Sequence, residues 1–327
     1  MRPTGSDRSR RRSIVEEESA IIREGPMVRI VRPLRTPQGN LVSPIAEGAA
    51  SAMAPDARAR TVGPFAIVAH FDATFAPGEA PLDLDVRPHP HIGIATVSYL
   101  YAGAITHRDG LGNVAEILPG DVAWMSAGRG IVHSERIPAL RERGGRFHGF
   151  QIWVVLTGEE EECAPSFEVV RAADVVVTEA PGVRVRHLLG AAGARPRVQG
   201  ATWLWDVELA QGAVFEAPSS KEGALHVTEG SLEIDGRTLD AGETATFGDG
   251  DARRFVARER VRAIGFGGDA VGPRYLWWNY LHSSKERIEQ AKAQWLEKRF
   301  ALPADDRDDV IPLPADHERP LRILNQR

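Results

Sequence analysis

Residues 87–93 read Arg-Pro-His-Pro-His-Ile-Gly, and residues 128–135 read Gly-Arg-Gly-Ile-Val-His-Ser-Glu. On an extended strand, residues i and i+2 face the same side, so His89 and His91 project together, as do His133 and Glu135. Pro90 biases His89 towards extended backbone and opposes a helix, in which the two rings would diverge. Glycines ahead of the second pair permit a close approach to a facing strand. Two such pairs aimed at one point supply three imidazoles and a carboxylate. That donor set suits a borderline divalent transition metal: Fe(II), Mn, Ni, Cu or Zn. The chain has 10 histidines, and the ones outside these pairs carry less. His107 and His148 flank the same region, as partners of the ligands or as ordinary surface or core residues. His226 and His282 show no partner in the sequence, and His70 reads as a strand-end residue.

The surroundings of the two pairs set the fold. From Ile94 to Phe167, short runs rich in Val, Ile, Tyr and Trp are punctuated by Gly103, Gly110, Gly112, Pro119-Gly120, Gly128 and Gly130. Strands at such close spacing predict an antiparallel barrel or sandwich. Pro64–Phe71 adds a buried strand, Met27–Leu34 a half-buried one, and Pro77–Pro88 a Pro- and Asp-rich loop. A second set of strands runs from about Val169 to Phe266 and includes a hairpin turning at Asp235-Gly236. Tyr99–Gly103 followed by Pro119-Gly120-Asp121 matches His226–Gly230 followed by Ala241-Gly242-Glu243, which points to two copies of one unit. The offset of His89 from Gly103, applied to Gly230, lands on Glu216, and the offset of His133 from Gly120, applied to Gly242, lands on Phe255. The second copy therefore lacks the metal pairs.

One long helical pattern occupies Ser283–Arg299. Ser283 or Ser284 is its N-cap, Glu286 is placed for a capping box, and Ile288, Ala291, Trp295 and Leu296 form an apolar stripe. Trp277-Trp278, just before it, reads as packing at the seam between the two units. The division that follows is a disordered basic tail at 1–24, a first β-domain with the metal site at 25–165, a second at 166–302 that includes helix 283–299, and an extended tail at 303–327.

Composition removes other classes. With 40 Lys+Arg against 45 Asp+Glu, the net charge of −5 argues against direct nucleic-acid binding. No apolar run approaches the roughly 20 residues that span a bilayer. The basic stretch Arg8–Arg12 is followed by no apolar segment, so no secretory signal is expected. The single cysteine, Cys163, can form no internal disulfide, which fits a cytoplasmic location. It follows the acidic run Glu159–Glu162, which opposes thiolate formation, so it reads as a bystander.

The runs RPHPHIGIATVSYL, HRDGLGN and LPGDVAWMSAGRGIVHSE, with GPRYLWWN and SSKERIEQAKAQW further on, resemble the pirin family of iron-binding bicupins. The similarity spans about Gly63 to Trp295. It implies an all-β fold of two cupin barrels with a C-terminal helix, and it matches His89, His91, His133 and Glu135 to the family's four iron ligands. Many pirins carry Glu four residues after the second histidine, where this chain has Ala95. That Glu is not a metal ligand, so the difference bears on pocket polarity and substrate choice.

Three neutral imidazoles and a carboxylate leave a divalent ion with a charge of about +1 and, if six-coordinate, about two open positions. The resemblance implies quercetin 2,3-dioxygenase activity: opening the ring of quercetin or a related flavonol or catechol-type aromatic with O₂, with Glu135 as the base and Fe(II) as the foremost metal. A rival reading, drawn from the family's transcription cofactors, is a redox-sensing module without turnover. It would bind a protein partner through a surface such as the basic stretch Arg141–Arg146. A sugar-binding or isomerase cupin fits less well, since no Lys/Arg cluster awaits a phosphate.

Overall fold

The computed structural model describes residues 61–324 apart from 191–195, 197, 199, 252 and 316–320, together with the backbone of three short strands at Arg29–Val31, Leu34–Arg35 and Leu41–Val42. The expected tail at 1–24 lies outside the described residues.

The first unit pairs a five-stranded sheet with a four-stranded one. The five-stranded sheet runs in the order Ser166–Val170, Val122–Ser126, Ile94–Ala102, Gly145–Val155 and Phe65–Phe75. The four-stranded sheet holds Val86–His91, Ile131–Arg136, Ile105–Asp109 and Val114–Ile117 in that order. The second unit repeats the plan, with a seven-stranded sheet centred on Glu222–Glu229, Val261–Gly268 and Trp203–Leu209, and a four-stranded sheet of Val214–Glu216, Arg254–Ala257, Ser231–Ile234 and Arg237–Asp240. Every named pairing is antiparallel, as in a cupin. The repeat extends to its turns. Asp121 accepts the Leu118 N–H at 3.1 Å, and Glu243 accepts the Asp240 N–H at 3.0 Å. The hairpin at Asp235-Gly236 is also present, with φ of 51° and 70°, the signature of a type I′ turn. Among the described residues no helix is long and apolar enough to cross a membrane.

The two large sheets lie back to back. Ala95, Val97 and Tyr99, with Phe65, Val68 and Phe150, pack against Leu188, Leu204, Ile264 and Phe266 of the second unit in one buried cluster. The period of two then decides what faces inward. Along Ile94–Ala102 the alternate residues Ile94, Thr96, Ser98 and Leu100 turn into the first barrel. Ile94 and Leu100 belong to separate apolar clusters, and Thr96 and Ser98 lie between them. This strand is buried on both faces, which is why it reads as a continuous apolar run rather than an alternating one. In the second barrel the corresponding interior is filled by Phe215, Phe247 and Phe255. Phe255 is fully buried and Glu216 is exposed.

Three histidine expectations and two others need correction. His70 is not a strand-end residue: it sits within Phe65–Phe75, and His226 is not without partners. A chain of buried rings crosses the seam, from His148 Nε2 to His70 Nε2 at 2.9 Å, from His70 Nδ1 to His226 Nε2 at 3.1 Å, and from His226 Nδ1 to Thr244 Oγ1 at 2.8 Å. Neutral imidazoles satisfy such a chain because each has one donor and one acceptor. His282 is also partnered, with Glu162 Oε1 at 2.9 Å from its Nε2. Trp277 and Trp278 pack with Tyr280, Ile92 and the helix on the first barrel, not at the seam. The helix spans Lys285–Leu296 with Ser284 as its N-cap; Ile288, Ala291 and Trp295 are buried as expected, but Leu296 is 61% exposed. A second polar clamp closes the seam. Tyr99 and Tyr101 donate to Asp206 at 2.7 and 3.1 Å, and Arg262 grips the same carboxylate with two N–H groups while lying over the Tyr101 ring.

Burial lowers His70 to about 4 and His226 to about 3 from an ordinary 6.5. The charges facing this chain are Asp72, Arg146, Arg262 and Glu229, which cluster around His148, with Asp72 and Arg146 also reaching His70. Unfolding lets both histidines take up protons, so their stabilisation is complete above about pH 6.5 and is lost as the pH falls towards 4 and below. The thermal unfolding midpoint is expected to fall over that range, and His226→Leu should flatten the slope. An unchanged slope in the variant would show that the chain does not carry the effect.

Candidate metal centre

The strand Val86–His91 lies at the edge of its sheet, where Pro88 and Pro90 cost no ladder hydrogen bond. Its register against Ile131–Arg136 sets His133 directly opposite His89 and Ile131 opposite His91. His89, His91 and His133 therefore converge: one ligand nitrogen from each lies within 4.8 Å of the others, and all three rings are buried. Among the described residues this is the one group of three or more potential ligands that close together.

Hydrogen bonding fixes the protons. His89 Nδ1 lies 2.8 Å from the Arg87 carbonyl, and His91 Nδ1 lies 3.1 Å from the Asn279 carbonyl. A carbonyl only accepts, so each Nδ1 carries the hydrogen. Burial pushes His89 down to about 4 and holds His91 and His133 well below the usual range, so the rings are neutral near pH 7. A neutral imidazole has one N–H, so both Nε2 atoms are bare. These two lone pairs face each other at 3.0 Å. His133 is buried with no hydrogen-bond partner on either ring nitrogen. Unpaired buried polar atoms cost about 1–3 kcal/mol each. A cation seated between Nε2 of His89, Nε2 of His91 and one ring nitrogen of His133 would relieve the lone-pair clash and part of that penalty, and the residues fit a bound transition metal on that ground.

The fourth expected ligand stands apart. A register shift between His133 and Glu135 places Glu135 opposite Val86, and its carboxylate is not in the close group. Glu135 Oε1 accepts from Ser98 Oγ at 2.7 Å, and burial raises its pKa. On its other side, the partner strand places His107 opposite Glu135. Of the two flanking histidines, His107 belongs to the site and His148 to the seam. The His107 ring stacks on Phe167 with centroids 3.8 Å apart and contacts His133 at 5.4 Å. Its Nε2 lies 3.1 Å from Asp109 Oδ2, and Asp109 is held in turn by the backbone N–H groups of Leu111 and Asn113 and by the Asn113 amide. Sequence reasoning missed Asp109, Asn113 and Ser98. The i, i+2 placing of His107 and Asp109 was the available signal. Trp153 stands edge-on to His91 at 5.2 Å.

Two of the three arginines in the basic stretch already have carboxylate partners. Arg141 lies 3.0 Å from Asp85, and Arg146 makes two hydrogen bonds of 2.8 Å to Asp72. Cys163 is exposed, with its Sγ 3.3 Å from the Glu159 carbonyl.

The chain is similar to known proteins. Residues 48–154 match the family model described as Pirin, and residues 204–301 match the one described as Pirin C-terminal cupin domain. A pirin-like protein of Caulobacter vibrioides is 45% identical over 261 residues, covering 78% of this chain and 90% of its own length. A Pseudomonas aeruginosa protein provisionally named a quercetin 2,3-dioxygenase is 32% identical over 257 residues, covering 76% of this chain and 78% of its own. Among solved structures, a quercetin 2,3-dioxygenase from Acinetobacter baumannii superimposes with a TM-score of 0.74 at 24% identity, covering 88% of this chain and 95% of that one. Two cupin units, one with a buried histidine triad and one filled with phenylalanine, together with these matches, establish that the chain belongs to the pirin family.

Proposed function

We propose that this chain is a metal-dependent dioxygenase of the quercetin 2,3-dioxygenase type, acting on quercetin or a related flavonol or catechol-type aromatic with O₂. The observation that carries the reading is the set of bare, convergent imidazole nitrogens on His89, His91 and His133. The name of the Pseudomonas relative supports the substrate class. His89, His91 and His133 would hold one divalent transition metal, foremost Fe(II), with Cu, Mn, Ni or Zn as alternatives, and Glu135 would stand beside the ion as the base. A bound ion would supply Lewis acidity that lowers the pKa of a substrate hydroxyl.

The chain's own residues do the rest. Glu135 receives the hydroxyl proton on its carboxylate. Its burial raises its pKa and so favours the protonated form that it would take on. Ser98 fixes the orientation of Oε1, leaving the other oxygen for substrate or metal. Phe167 and Trp153 pack on His107 and His91 and limit water around the ligands. The rival reading, a redox-sensing module, finds no such support, because Arg141 and Arg146 are already ion-paired.

Metal-loaded protein should consume O₂ with quercetin while the flavonol absorbance band decays. Iron- or copper-loaded protein that does neither would refute the enzymatic reading. His133→Ala should abolish stoichiometric metal binding, measured by elemental analysis after gel filtration; retention of one ion per chain would remove the triad from the account. Glu135→Gln should keep the metal but lower turnover by about 10²–10⁴-fold, the usual worth of a general base. Undiminished turnover would show that the proton goes elsewhere.

A further inference from the structure

The chain beyond the helix returns to the first barrel, where it spans both ligand-bearing strands. Leaving the helix, Phe300 and Ala301 press onto glycines of that barrel. A Cβ on Gly130 would stand 2.5 Å from the Phe300 ring, and one on Gly110 would stand 2.2 Å from the Ala301 carbonyl oxygen. Asp306 then takes a two-pronged grip from Arg136, the residue after Glu135, with N···O distances of 2.8 and 2.7 Å. This pair is largely shielded, with side-chain exposures of 21% and 13%. Farther on, the Ile311 N–H donates at 2.8 Å to the carbonyl of Pro88, the residue before His89. The Ile311 carbonyl accepts from Trp295 Nε1 at 3.2 Å, which ties the strap to the helix. The segment ahead of that helix supplies the Asn279 carbonyl to His91 Nδ1, and Ile92 bridges to Tyr280. The pair Arg87–Asp309 is exposed and counts for little.

We propose that residues 300–311 form a positioning strap for the metal centre, with Asp306 as its key side chain. It fixes the spacing of the two strands that carry His89 and His133, so docking of the strap and binding of the metal are coupled. The proposal rests on the reading of the histidine triad as a metal site. The physical reason is geometric: three ligands on two strands keep their nitrogens convergent only while the strands hold register and separation. Asp306 pins one strand, and the Ile311 N–H pins the other. Coupling is reciprocal, so a metal held by the triad must also favour the docked strap. Its tip carries exposed Arg307, a natural reporter for that docking.

Co(II) is the probe, because its visible absorption reports ligand geometry, and full-length protein is used throughout. Asp306→Ala is expected to weaken Co(II) affinity by about 10–100-fold, the usual effect of losing an outer support of a metal site. It should also alter the absorption spectrum at saturating Co(II), with partial rescue of both by Asp306→Glu. In unaltered protein, Co(II) should slow trypsin cleavage after Arg307, a result that does not depend on any variant folding. Wild-type affinity and spectrum in Asp306→Ala, or an unchanged cleavage rate on adding Co(II), would overturn the strap while leaving the triad standing. Failure of the unaltered protein to bind Co(II) at all would overturn the metal reading and the strap with it.

Discussion

Two imidazole nitrogens facing each other at 3.0 Å with no proton between them are the constraint on which the rest depends. Each of these rings has committed its one hydrogen to a backbone carbonyl, on Arg87 for His89 and on Asn279 for His91. Burial keeps both rings neutral, so neither can resolve the clash of lone pairs by taking up a second proton near pH 7. His133, opposite His89 and without a partner of its own, adds a third bare nitrogen. An arrangement that is unfavourable as it stands becomes favourable around a cation, and this gives the geometry its functional meaning.

The barrel holds that arrangement by spending its most apolar strands elsewhere. The seam between the two large sheets takes the outward faces of Ile94–Ala102 and Gly145–Val155, which lets Ser98 and Thr96 face inward without exposing the strand to water. The second unit contributes bulk to that seam, and it contributes Asp206 and His226 to the polar contacts across it. Phenylalanines fill the interior where the first unit has its histidine triad. The two copies thus share a framework but differ in what fills it.

Much of this could be read from the sequence. The pair at 89/91 announced its common face through strand period alone, and Pro90 restricted the backbone around it. The Gly-acid turns at 120–121 and 242–243 disclosed the repeat. What stayed hidden depends on contacts between distant residues. The Asn279 carbonyl meets His91 across 188 positions, and His226 meets His70 across 156, so no local pattern records either. The shift between His133 and Glu135 is a feature of strand pairing, and it separates a carboxylate that spacing alone would group with the imidazoles. Nor could composition show that the Pro- and Asp-rich end of the chain grips Arg136, since its aspartates read as ordinary solvated charges.

The most direct measurement is anomalous diffraction at the absorption edge of a metal soaked into crystals of the unaltered protein. A single peak is expected about 2.0–2.1 Å from Nε2 of His89, Nε2 of His91 and one ring nitrogen of His133. A map with no peak there, while those nitrogens keep their present separation, would contradict the account.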